Sequence, residues 1–363
     1  MTETAIFRHR IVGSAYAGGA LVLVLAVMTL LAGCKSKDAD SGSGQTATAT
    51  QPAAQPALAE VRLGYFGNLT HAQAVLGVAS GEFADAIKPA TLKTKVFNAG
   101  PSFIEALLAN QIDIGYVGPG PTLNAFVKTH GEGIRVLSGA AANGVLIVAA
   151  KDSGINTLED LKGKRVATPQ PGNTQDIAAK YFLTHNLHQE DTHNVLSFDN
   201  SQQAGLMERG EIDASWAPEP WGSRLVAEAG AHVVAEEKDI WPNKEFVLTL
   251  VVTSPEFLKA HPEVVRQILG VHHAWTVRLK NDPEKFVPQL EDGLFAVNQK
   301  RLPKGVLQSS IKTVKFLDDP LPDTLKTMAE WAYELKLSPH PPKLDGLVDT
   351  SVIDSVKSAD GVH

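Results

Sequence analysis

From Val61 onward, short apolar runs alternate with stretches whose apolar positions recur every three to four residues, the pattern of strands alternating with amphipathic helices. Val61 to Tyr65 reads as a first strand, and Asn68-Leu69-Thr70-His71 opens a helix running through Glu82-Phe83. Leu92 to Phe97 predicts a second strand, with Gly100-Pro101-Ser102 leading into a helix over Phe103 to Ala109. Ile112 to Val117 predicts a third, with Pro121-Thr122 starting the next helix, and strands follow at Ile134 to Leu137 and Val145 to Ala149. A second block repeats the plan: strands over Arg165 to Thr168, Val195 to Phe198, Ile212 to Trp216 and Val233-Val234, helices after Gly172-Asn173-Thr174 and over Gln203 to Arg209. Phe246 to Thr253 is a β-branched run that carries the chain back. After Pro255 the periodicity is helical, with proline repeatedly in a first turn, where its missing N–H costs little.

The two blocks share a local grammar. IDIGYVGPGPT (Ile112 to Thr122) and IDASWAPEPW (Ile212 to Trp221) each place Ile-Asp before a short strand that exits into a Pro-x-Pro turn. Repetition of a βαβ plan predicts two lobes, the first made of residues 60–146 plus 250–363 and the second of 147–249, with crossings near Asn143 to Ala149 and Glu245 to Val252. Ligands of open α/β sheets bind beyond the carboxyl ends of strands, and concave sites favour domain boundaries, so the two turns are expected to face each other across a cleft.

Composition narrows the function classes. The 363 residues are 44% apolar and 20% charged, ordinary for a globular chain. A formal net charge of −7 and the lack of a basic tract exclude a surface built for nucleic acid.

The N-terminus adds a second theme. Arg8 and Arg10 precede an apolar run over Ile11 to Leu30, and Leu31-Ala32-Gly33 stands before Cys34, the one cysteine of the chain. This resembles the lipobox of bacterial lipoproteins, which implies that residues 1–33 are an export signal and that Cys34 carries a lipid. The other reading of the same run is a membrane-spanning helix. Residues 34–59 are rich in Ser, Gly, Thr, Gln, Ala and Pro, too polar to offset their own ordering entropy. They predict a flexible leash with a reach of roughly 25–30 Å.

FNAGPSFIEALLANQIDIGYVGPGPTLNAF, DLKGKRVATPQPGNTQD and GEIDASWAPEPWGSRL together resemble the solute-binding proteins of ABC importers for nitrate, sulfonate and taurine, over about Val61 to Leu335. The resemblance implies an α/β, type II periplasmic-binding-protein fold: two lobes, two crossover strands, a helical C-terminal part and a ligand trapped by hinge closure. It further implies capture of a small solute outside the cytoplasmic membrane, for delivery to a permease driven by an ATPase. No catalysis and no cofactor are implied, and a monomer is expected. A tether at Cys34 would keep the receptor concentrated near its permease.

Candidate contacts gather at helix starts, where free N–H groups and the positive dipole end suit an anion. In the first lobe these are Asn68, Thr70 and His71, then Gly100, Pro101 and Ser102, then Gly118, Pro119, Gly120 and Thr122. In the second they are Asn173, Thr174 and Gln175, then Glu219 and Trp221, while Asn143 is a hinge-side candidate. The same residue types also serve ordinary turns and N-caps. Asp113 and Asp213 are expected to receive backbone N–H groups at strand starts, and His272-His273 to lie on a helix surface. A carboxylate at Glu219 facing the cleft would favour a solute with a positive or hydrogen-donating end, such as an aminoalkanesulfonate or an amino-pyrimidine thiamine precursor, with Trp216 and Trp221 as a wall.

Two other classes share the fold. An enzyme is disfavoured because the folded part has no cysteine, HExxH, G-x-S-x-G or P-loop. A sensor receptor would need a separate signalling partner.

Overall fold

The computed structural model describes residues 58–338 and 340–361. Residues 1–57, and with them the signal, Cys34 and nearly all of the leash, lie outside the described residues.

In chain order the first block comprises β1 (Glu60–Phe66), α1 (Ala72–Ala79), α2 (Glu82–Ala86), β2 (Thr91–Phe97), α3 (Gly100–Leu108), β3 (Ile114–Val117), α4 (Pro119–Lys128) and β4 (Arg135–Asn143). The second comprises β5 (Val145–Ala149), β6 (Val166–Thr168), α5 (Thr174–Tyr181), β7 (Val195–Ser197), α6 (Asn200–Glu208), β8 (Ala214–Pro218), α7 (Trp221–Ala229) and β9 (His232–Glu236). The chain then returns through β10 (Val247–Thr253) into α8 (Pro255–Ala260), α9 (Pro262–Asn281), α10 (Val287–Asn298), α11 (Val306–Ser310), β11 (Val314–Phe316), α12 (Pro322–Glu334) and α13 (Ser351–Ala359).

These strands form two sheets, one per lobe, in the orders β11-β4-β10-β3-β1-β2 and β7-β6-β8-β5-β9. The chain leaves the first sheet at Asn143 and Gly144, whose φ values of 60° and 73° turn it abruptly into β5. Asn143 also fastens the return: its N–H donates to the Phe246 carbonyl at 3.0 Å and its Oδ1 accepts the Phe246 N–H at 3.3 Å. β11, which periodicity read as a connection between helices, adds an antiparallel edge to β4.

The repeated Ile-Asp has the same structural use in both lobes. Asp113 accepts the Arg62 backbone N–H at 2.7 Å and the Arg62 guanidinium, just before β3 pairs in parallel with β1. Asp213 accepts the Arg165 N–H at 2.8 Å and its guanidinium at 3.0 and 2.6 Å, just before β8 pairs with β6. Each bidentate grip fixes strand register at the end remote from the cleft.

One expectation is overturned. His272 and His273 are buried rather than on a helix surface. The inner face of α9 carries Val265, Ile268, Leu269, His272, Thr276 and Leu279, a three-to-four spacing that puts His272 against the sheet. There its ring nitrogens meet Tyr116 Oη at 3.0 Å and Ser138 Oγ at 3.2 Å, while His273 Nδ1 lies 2.7 Å from Asp318.

α12 packs on both α4 and α5 and so spans the lobes. Its Trp331 stacks on Tyr181 at 4.4 Å and meets Trp241 at 4.2 Å.

Candidate functional site

Strands of both sheets end at the junction of the lobes, and helices start there. Asn68, Thr70 and His71 precede or open α1, Gly100 opens α3, Gly118 precedes α4, Asn173 and Thr174 open α5, and Asn200 opens α6; all line one cavity of about 30 Å³. Of these five helix starts only α5 is capped by a side chain, Asn173 Oδ1 accepting from Asp176 N at 3.0 Å. α1, α3, α4 and α6 have no side-chain cap. α4 still offers no open first-turn N–H, because Pro119 and Pro121 lack one, Gly120 N–H donates to Thr174 Oγ1 and Thr122 N–H donates to the Gly118 carbonyl. α1 continues the helical turn Leu69–His71, with Ala72 N–H on the Leu69 carbonyl. This leaves the starts of α3 and α6 facing the cavity.

Two polar atoms on the cavity wall, Asn200 Oδ1 and Thr249 Oγ1, are buried with no protein partner among the described residues. An orphaned buried polar group costs roughly 1–3 kcal/mol; a bound oxyanion would accept from the Thr249 hydroxyl, whereas Asn200 Oδ1, an acceptor, would need a donating group. Thr249 sits there because β10 shifts register on either side of it against β4, and its pairing with β3 ends at Leu250–Val117. Bulges re-aim side chains in this way.

His71 contributes a neutral donor. Its Nδ1 accepts the Phe66 N–H at 3.3 Å, which places the proton on Nε2. Burial drives its pKa down to about 3, and the ring stacks on Phe66 at 4.5 Å. No Asp, Glu, Lys or Arg lines the cavity.

The lobes approach closely at this point. The Gly120 N–H donates to Thr174 Oγ1 at 3.2 Å, and a Cβ on Gly120 would lie 2.9 Å from the Thr174 backbone nitrogen. A Cβ on Gly118 would lie 2.4 Å from Thr174 Oγ1. Leu69 N–H donates to the Glu219 carbonyl at 3.1 Å, and Trp221 Nε1 to Asn68 Oδ1 at 2.7 Å.

Not every sequence candidate lines the cavity. Thr122 Oγ1 turns back onto the Gly118 carbonyl at 2.9 Å and Ser102 Oγ onto the Ala99 carbonyl at 2.9 Å. Pro101 and Pro119 occupy first helical turns, and Asn143 fastens the crossover. Gln175 lines the cavity, its Oε1 accepting from Asn173 Nδ2 at 3.1 Å. Trp216 is fully buried on Glu237 at 2.7 Å and is no wall of the cleft.

Glu219 does not face the cavity. Its carboxylate accepts from Ser223 N at 3.0 Å, Ser223 Oγ at 2.7 Å and, across the lobes, Ser310 Oγ at 3.1 Å. Burial raises its pKa, partly offset by those hydrogen bonds. The carboxylate turns away because its backbone is held at the junction, N–H to the Gly144 carbonyl at 2.9 Å, and the three donors lie on the far side.

Sequence reasoning missed Asn98, Asn200 and Thr249. Asn98 and Asn200 sit at strand exits into helices, the signal that found the others, whereas Thr249 lies inside a uniform β-branched run.

Beside the inner cavity lies an outer chamber of about 240 Å³, which shares Asn68, Asn98 and Asn200 with it. Trp221 and Arg224 form one wall and Lys300, Arg301 and Leu302 another. Among the described residues no group of three or more His, Cys, Asp or Glu is placed to hold a metal ion.

The model of the NMT1-like family matches residues 54–285, more than half of the chain. The chain belongs to the NMT1-like family. Relatives include a putative binding protein of Brucella abortus (strain 2308), 26% identical over 185 residues that cover 49% of this chain and 54% of the relative. The taurine-binding periplasmic protein of Escherichia coli (strain K12) is 25% identical over 177 residues, again 49% of this chain and 54% of the relative. The chain thus spans about half the length of the curated relatives it matches. The alkanesulfonate-binding protein SsuA of Xanthomonas axonopodis pv. citri, solved with MOPS bound, superposes with a TM-score of 0.66 at 21% identity, covering 81% of this chain and 99% of SsuA. This NMT1-like chain therefore has the two-lobed fold of the periplasmic binding proteins. Among the described residues no helix is long and apolar enough to cross a membrane.

Proposed function

We propose that the protein is an extracytoplasmic solute-binding component of an ABC importer. It captures a small oxyanion-bearing solute of the sulfonate, taurine or nitrate type between its lobes and delivers it to a permease, tethered by a lipid on Cys34. One observation carries the reading: the uncapped starts of α3 and α6 and the unpartnered, donating hydroxyl of Thr249 converge on an uncharged interlobe cavity. Open N–H groups at the positive ends of helix dipoles bind an oxyanion without a buried cation. The relatives named for taurine and alkanesulfonate point to the same solute chemistry. With the Glu219 carboxylate on Ser223 and Ser310, the cavity offers no partner for a cationic end, which favours a plain sulfonate or nitrate over taurine's ammonium end and over the amino-pyrimidine.

Calorimetry and thermal melts of the purified protein with nitrate, bicarbonate, methanesulfonate and taurine test this. A solute at a hundred times its Kd is expected to stabilise by about 2.7 kcal/mol and raise Tm by a few degrees. Absence of both heat and shift for all four would remove the reading.

A further inference from the structure

The inner cavity and the outer chamber differ in size and in charge. About 30 Å³ is room for a compact group on the scale of about two water molecules, whereas about 240 Å³ accommodates an organic body. No formal charge lines the inner cavity; Arg224, Lys300 and Arg301 line the outer one against a single carboxylate, Asp199.

The cations are held in place. Arg224 is buried, pairs with Glu228 at 2.8 Å and lies over the Trp221 ring at 5.2 Å, which fixes its planar donors. Lys300 reaches the same Glu228 from the first lobe at 3.5 Å. Arg301 lies over Phe295 at 4.4 Å, and its pair with Asp292 at 3.4 Å is exposed on both sides and weak. One carboxylate, Glu228, therefore serves two cations, and an entering acid would complete the set. Phe97, Trp221 and Leu302 supply apolar lining to the same chamber.

We propose that the solute is bipartite: a compact oxyanion group sits in the inner cavity, joined to an organic body whose second acidic group meets Arg224, Lys300 and Arg301 in the outer chamber. This rests on the functional reading above and narrows it, since a bare inorganic ion would leave the outer chamber unused.

The test is calorimetry on the purified protein at low salt with methanesulfonate, benzenesulfonate and 4-sulfobenzoate. Adding the ring is expected to tighten binding about tenfold, and adding the carboxylate about tenfold again. Raising salt to about 0.5 M is expected to erase most of the second step, because the two outer cations are solvent-exposed. In the Lys300→Gln/Arg301→Gln double variant, the ratio of 4-sulfobenzoate to benzenesulfonate affinity is expected to fall toward one. If 4-sulfobenzoate binds no tighter than benzenesulfonate, or the ratio is the same in the variant, the bipartite solute is wrong while the importer reading stands. If none of the three binds, and nitrate and taurine do not either, the importer reading fails and takes the bipartite solute with it.

Discussion

Thr249 shows how a single residue separates the cost of a site from its use. Its hydroxyl is fully buried and unpartnered among the described residues, so Thr249→Val, which keeps the shape and removes the hydroxyl, is expected to stabilise the ligand-free protein by about 1 kcal/mol. The same change is expected to weaken solute binding about tenfold, because the solute loses a hydrogen bond in a closed cavity. Urea melts and calorimetry on the one variant check both signs, and a variant that loses stability would show Thr249 to be structural. This residue could not be read from FVLTLVVT, where nothing but the β10 register shift distinguishes it. That His71, Thr70 and Asn173 line the cavity was legible because each stands where a strand leads into a helix start. Glu219 was misplaced for the converse reason: sequence located its backbone at the junction, but the side chain is held by Ser223, four positions on, together with Ser310, ninety-one positions away.

At the scale of elements, two helix starts fit against each other between the lobes. α4 and α5 meet where Gly120 faces Thr174, and backbone rather than a flexible side chain occupies the space a Cβ would need. Gly120→Ala is therefore expected to hold the lobes apart, lowering solute affinity at least tenfold while Tm without solute changes by only a few degrees. Small-angle scattering should then show no compaction on adding solute, whereas unchanged affinity would mean that closure does not need this contact. Most elements were legible, because β-branched runs bounded by glycine and proline leave little choice. β11 was not: a three-residue strand has too little pattern to stand out among helices, and only the free edge of β4 makes VKF a strand. The buried pair on α9 was legible in principle, since Val265, Ile268, His272 and Leu279 follow one helical stripe, but histidine's polarity argued the other way.

For the molecule as a whole, two buried groups tie stability to pH in opposite directions. Glu237 is fully buried, accepting from Trp216 Nε1 at 2.7 Å and Trp241 Nε1 at 3.0 Å, and burial raises its pKa from 4.5 to about 7. Between those values the folded protein holds a proton the unfolded chain has released, so its contribution falls as pH rises, by about 1.4 kcal/mol per unit. His71, lowered from 6.5 to about 3, is neutral in the fold where the unfolded chain is protonated, so its contribution rises with pH by a similar slope over that window. The two oppose each other between about 4.5 and 6.5. Glu237→Gln is expected to unmask the His71 slope, so that the variant's urea midpoint climbs from pH 4.5 to 6.5 relative to wild type; parallel midpoints would show that Glu237 does not titrate there. The two-lobed plan itself was legible from the repeated Ile-Asp grammar. The crossover carries one more consequence. Because Asn143 and Phe246 are hydrogen-bonded to each other, residues 144–245 leave and rejoin the first sheet at one point, as a closed parenthesis. β10 is central in that sheet, between β4 and β3, so a chain emerging from its N-terminus can complete the parenthesis before the clause around it. The second lobe's sheet is therefore complete within one contiguous segment, whereas the first lobe needs β10, and after it β11, before β3 and β4 have all their neighbours.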